Sequence, residues 1–164
     1  MALRTEAYYR NIAKRALDGL GCIEPPVPVE AIISSLGVPI RPVNLPHFFT
    51  AATIYEDGLP IMMVNWAKPE FERRDALAHM LGHMLLVMND SENTYPRGTA
   101  DHSEADTVAR ELVMPIEMVI EQARLWFNDF RYLSRLFGVT EERMMVRMRD
   151  LGLVKGPEGV MWEY

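Results

Sequence analysis

The sequence predicts an α+β domain built on a small β-sheet, with a helical extension after it. Three observations carry that prediction. The run "FFTAATIYEDGLPIMMVN" reads as a β-hairpin turning at Asp57-Gly58. The run "ALAHMLGHMLLVM", Ala76 to Met88, has only His79 and His83 as strongly polar side chains, which marks a largely buried helix. From Ile116 to Val154 the pattern is helical, with a turn at Gly138-Val139-Thr140.

The elements follow in order. Tyr8, Ile12, Ala16 and Leu20 recur on one face of a first helix, which Gly19-Leu20-Gly21 stops. Pro25, Pro26 and Pro28 make an extended entry to a short helix from Val29 to Leu36, ended by Gly37. Val38 to Val43 reads as the first strand, and the hairpin returns through Ile61 to Asn65. Pro69 stands near the start of the next helix, where its missing N–H costs least, and that helix runs from about Phe71 to Met88. After the loop "NDSENTYPRGTADH", Thr99 or Asp101 is placed to cap a second helix running to Met114, before Pro115.

No internal repeat or low-complexity linker interrupts this order. Residues 1–120 are expected to form the main domain, with 121–164 a C-terminal helical extension packed on it.

The chain has 164 residues, 49% hydrophobic and 24% charged, which is ordinary globular composition. A net charge of −6 argues against a generally nucleic-acid-binding surface. Cys22 is the sole cysteine, so no internal disulfide can form, which fits a reducing compartment. The N-terminal run lacks an apolar stretch long enough for a signal peptide or a membrane span, and the expected setting is cytoplasmic.

His79 and His83 are spaced i, i+4, so their imidazoles rise from one helical face, with Gly82 offering room beside them. Zinc takes imidazole nitrogens and wants three protein ligands in a catalytic site. The pair alone reads more readily as two buried histidines satisfied by backbone carbonyls. His102 and Asp106 repeat the spacing on the second helix, where Ala105, Ala109 and Leu112 continue an apolar stripe. His102 then faces inward, and Asp106 can orient the ring of His79 as metal-bound imidazoles require. In the competing reading, Asp101 and Glu104 form a capping-box-like pair and His102 is a first-turn residue.

Taken together, "IMMVNWAKPEFERRDALAHMLGHMLL", "HSEADTVARELVMP" and "LSRLFGVTEERMMVRMRDLGL" resemble the ImmA/IrrE family of metallopeptidases, over about Ala13 to Val154. "PPVPVEAIISSLGVPI" resembles the family's opening helix and strand. The resemblance implies a zincin-like fold with Zn as cofactor. His79 and His83 match the two zinc histidines. His102 stands where the third ligand is a glutamate, and Asp106 matches an Asn/Asp position. Met80 occupies the place of the general-base glutamate, and Asp75-Ala76 replaces a Phe-Thr pair.

A thioether takes no proton at a useful pH, whereas a missing base costs roughly 10²–10⁴ in rate. The resemblance therefore implies a zinc-binding, protease-derived protein with lost or much reduced peptidase activity. The resemblance also implies action through a protein partner such as a helix–turn–helix repressor, of the kind that active relatives cleave in phage, mobile-element or stress responses. Two alternatives stay open. One is an active zinc metallopeptidase with an unconventional base, for which Glu104 and Glu111 are the nearest carboxylates in sequence. The other is a metal-free DNA- or protein-binding module, in which Arg143, Arg147 and Arg149 would meet phosphates.

Overall fold

Asp57 and Gly58 both take left-handed backbone, with φ of 52° and 81°. That is the geometry of a two-residue hairpin turn whose twist suits the flanking strands. The turn joins β2 (Ala51–Glu56) to β3 (Leu59–Asn65) in antiparallel register, Glu56 opposite Leu59 and Ala51 opposite Val64. On the other side of β3 runs β1 (Ile40–Val43), parallel to it, with Ile40 opposite Met62. The order β1-β3-β2 puts β3 in the centre. Ile61 and Met62 point to opposite faces and both are buried, so both faces of β3 are covered.

The computed structural model describes residues 4–89, 102–155 and 160–161. Its helices are α1 (Glu6–Asp18), α2 (Val29–Ser35), α3 (Glu70–Asn89), α4 (His102–Val113), α5 (Ile116–Leu125), α6 (Phe130–Phe137) and α7 (Glu141–Asp150). Two short strands, β4 (Val154–Lys155) and β5 (Val160–Met161), pair antiparallel. The chain divides into two compact units, Met1–Ile23 with Pro28–Leu112, and Glu24–Val27 with Val113–Tyr164. No described helix is long and apolar enough to cross a membrane.

In the first unit, α3 lies against β2 and β3, and α1 and α2 pack on α3. Leu77, Leu81 and Leu85 recur every four residues and, with Ala78 and Leu86, face the core. Each fully buried leucine contributes roughly 1.5–3 kcal/mol relative to an exposed one. Burial follows one stripe, so less of the helix is covered than the largely buried helix the sequence predicts: Val87 and Met88 are exposed. The helical period turns them away from the stripe.

The first strand starts at Ile40, two residues later than the sequence predicts. Gly37 adopts φ 75°, and the Val38 N–H donates back to the Ile33 carbonyl, so these residues finish α2 instead of opening β1. Asn65, wholly buried at the end of β3, organises the chain on either side of it. Its Oδ1 accepts from the N–H groups of Leu45 and Ala67, and its Nδ2 donates to the carbonyls of Leu45 and Phe49.

The second unit is helical, with α6 packed on α7. Gly138 takes φ 67° between them, and the Thr140 hydroxyl accepts from the Arg143 N–H as the N-cap of α7. Leu133, Phe137, Met144 and Met148 form its centre. The sequence pattern, read as continuous helix, hides a break after α5. Phe127 and Asn128 turn left-handed, buried Asn128 donates its amide to the Leu153 carbonyl, and Asp129 caps α6 through the N–H groups of Arg131 and Tyr132.

Candidate metal centre

α3 places His79 and His83 one turn apart, and α4 begins at His102. The three rings meet. His83 Nε2 lies 3.0 Å from His79 Nε2, and His102 Nδ1 lies 3.2 Å from each of them. Among the described residues these three form the one group of His, Cys, Asp or Glu side chains arranged to hold an ion. His79 and His83 are half-buried while His102 is exposed, so the cluster opens to solvent on the α4 side.

The donor set fits zinc. Ligand nitrogens about 2.0–2.1 Å from a tetrahedral ion stand about 3.3 Å from one another, close to the separations here. Lone pairs aimed at one point repel, and a cation between them turns that repulsion into bonding. Asp106 completes the arrangement. Its Oδ1 lies 2.6 Å from His79 Nδ1. With the proton on Nδ1 donated to the carboxylate, Nε2 is left as the electron-pair donor facing the cluster. Asp106 sits one turn after His102, pointing at the opposite side of the His79 ring from the convergence point.

Met80 sits beside His79 on α3, and its sulfur accepts a hydrogen bond from the Thr53 hydroxyl on β2 at 3.4 Å. Thr53 was not marked out by any sequence spacing, because a strand residue and a helix residue 27 positions apart are joined only by tertiary packing. Glu104 accepts from the Tyr9 hydroxyl of α1 at 2.7 Å and from Arg4, just before that helix, at 3.3 Å. Glu111 is 2% exposed and flanked by Arg10 and Arg110. The capping partners expected at Thr99 and Asp101 lie outside the described residues.

α1 also holds the far end of α3. Arg15 donates to the Asn89 side chain, and Asn89 donates to the Tyr8 hydroxyl at 3.3 Å. One helix thus grips both ligand-bearing helices.

In the second unit the three arginines considered for phosphate contact are not equivalent. Arg147 is 3% exposed, and its Nε and Nη2 both donate to the Met114 carbonyl, at 3.1 and 2.8 Å. Its guanidinium is committed to the core, so it does not offer the phosphate contact that the DNA-binding alternative needs. Burial pushes the pKa of Arg143 below its ordinary value, and Arg149 is exposed.

Residues 33–149 match the family model described as the IrrE N-terminal-like domain, peptidase M78. No curated protein matches the sequence. Among solved structures, the fold is similar to that of a Mycobacterium tuberculosis transcriptional regulator, with a TM-score of 0.62 at 19% identity. The likeness covers 93% of this chain and 48% of that one, so this chain spans about half the length of its structural relative.

Proposed function

We propose a function for a chain that belongs to the M78 peptidase family of IrrE N-terminal-like domains: it holds zinc on His79, His83 and His102, cleaves peptides weakly, and acts by recognising a protein partner. One observation carries this reading. A full set of imidazole donors converges, while the next side chain on the motif helix is a thioether tied to Thr53.

Zinc held by His79, His83 and His102 would supply a Lewis acid for a substrate carbonyl. The protein's own residues supply the rest. Asp106 holds the His79 ring in one orientation and one tautomer. Met80 exchanges no proton, so a water attacking a peptide lacks its base, at a cost of roughly 10²–10⁴ in rate. Glu104 and Glu111 are engaged with α1 and with Arg110, which disfavours an unconventional carboxylate base.

The structural relative is described as a transcriptional regulator, which supports a regulatory role for this fold. The partner that the family implies is a helix–turn–helix repressor. The burial of Arg147 weighs against direct DNA binding by α7, since one of three basic contacts is withdrawn. A cytoplasmic setting suits a chain whose single cysteine is an exposed thiol.

The test has two parts. Protein purified without chelators is expected to carry one equivalent of zinc, lost in His79→Ala and held more weakly in His102→Ala. Zinc-loaded protein is then mixed with a helix–turn–helix repressor, with binding read by calorimetry and cleavage by mass spectrometry. Binding without appreciable cleavage is the expected result. Absence of stoichiometric metal overturns the zinc assignment, and fast chelator-sensitive cleavage overturns the weak-peptidase reading.

A further inference from the structure

Gly82 lies in the middle of α3, buried, with Leu81 and His83 on either side. Its backbone is helical, so no turn or left-handed conformation calls for glycine there, and an interior glycine weakens a helix relative to alanine. The reason lies across the helix interface. A Cβ built on Gly82 would stand 2.4 Å from the Ala105 carbonyl oxygen, 3.2 Å from its carbonyl carbon and 3.3 Å from its Cα. The room that glycine leaves beside the histidines is filled by the backbone of α4.

The place of this contact matters. Gly82 adjoins His83 and is three residues from His79; Ala105 is three residues from His102 and adjoins Asp106. The backbone crossing therefore sits within one turn of every donor and of the carboxylate that orients His79. The nearest approach of real Cβ atoms to such neighbours is 3.0 Å, so a methyl group at residue 82 forces the carbonyl back by about 0.6 Å, against 2.4 Å now. The obstacle is main chain rather than the end of a flexible side chain, and α4 has to move with it. Binding constellations tolerate misplacement of only about 0.5 Å.

We propose that Gly82 is a positioning residue for the metal centre: its missing side chain sets the α3–α4 approach that brings His102 within reach of His79 and His83. The inference rests on the zinc reading given above. It does not require that the protein cleave anything.

The test is a double-mutant cycle on zinc affinity, read by competition with a chromophoric chelator. Gly82→Ala is expected to weaken zinc binding at least tenfold, and to alter the visible absorption of the cobalt-substituted protein as coordination by His102 is lost. In a His102→Ala background, the same substitution should change zinc affinity less than threefold, because the ligand it displaces is already gone. Far-UV circular dichroism reports whether each variant is folded. If Gly82→Ala alone does not fold, wild type and variant are compared after refolding in a stabilising osmolyte, where the tenfold weaker zinc binding of Gly82→Ala is still expected. Unchanged zinc affinity in folded Gly82→Ala overturns the proposal, as do equal losses in the two backgrounds. Failure of the wild type to bind zinc would instead strike the zinc assignment itself.

Discussion

The Thr53 hydroxyl on β2 is aimed at the sulfur of Met80 on α3, 3.4 Å away. Sulfur is a weak acceptor, so this contact orients the thioether without holding it firmly. A carboxylate in the same place would accept a stronger bond from the same hydroxyl.

Met80→Glu is therefore expected to be tolerated structurally and to raise chelator-sensitive peptide hydrolysis. The gain should exceed tenfold and stay short of the roughly 10²–10⁴ that a well-placed base contributes, because His102 stands where relatives carry a glutamate. Initial rates on casein and on a helix–turn–helix repressor, with and without chelator, measure it. Equal rates for both proteins would mean that residue 80 is not the base position.

Asp106→Ala should weaken zinc affinity by about 10–100-fold, the usual effect of removing a carboxylate that orients a metal-bound imidazole. Asp106→Asn should lose less, since its amide oxygen can still accept the proton on His79 Nδ1. Chelator competition on the three proteins separates these outcomes. A loss in Asp106→Asn as large as in Asp106→Ala would show that the charge, not the hydrogen bond, is what counts.

Asn65→Ala should destabilise the protein by about 2–4 kcal/mol, because it strands backbone groups of Leu45, Phe49 and Ala67 at once. Urea denaturation followed by circular dichroism gives the value. A change below about 0.5 kcal/mol, the range of an ordinary surface substitution, would mean water takes over these bonds.

Arg147→Met should cost about 2–4 kcal/mol, since the Met114 carbonyl loses both of its guanidinium donors in a buried site. Arg149→Ala, at an exposed position, should stay within about 0.5 kcal/mol of wild type. Denaturant melts of the two variants make the comparison. Equal effects would refute the distinction drawn between them.

What could be read from the sequence was local. Two-residue turn chemistry marked the hairpin at Asp57-Gly58, and the i, i+4 rule marked His79 with His83 and His102 with Asp106. Both regularities are set within a few residues, so the linear order carries them. The break at Phe127-Asn128 is only half local: Asp129 is an N-cap residue two and three positions before its partners, while Asn128 is held by Leu153, 25 residues on. Arg147 likewise looked like a surface cation until Met114, 33 residues away, supplied its acceptor. Thr53 belongs to the same class. Side chains whose role is decided by a partner far along the chain leave no periodic trace.

The grip of α1 on Asn89 and on Glu104 has a consequence for how the chain between them can vary. Because both helices are anchored to a third element, their spacing does not depend on the stretch that links them, residues 90–101. An insertion there is therefore expected to leave the imidazoles in register. The tolerance is conferred from outside the connection, by Tyr8, Tyr9 and Arg15.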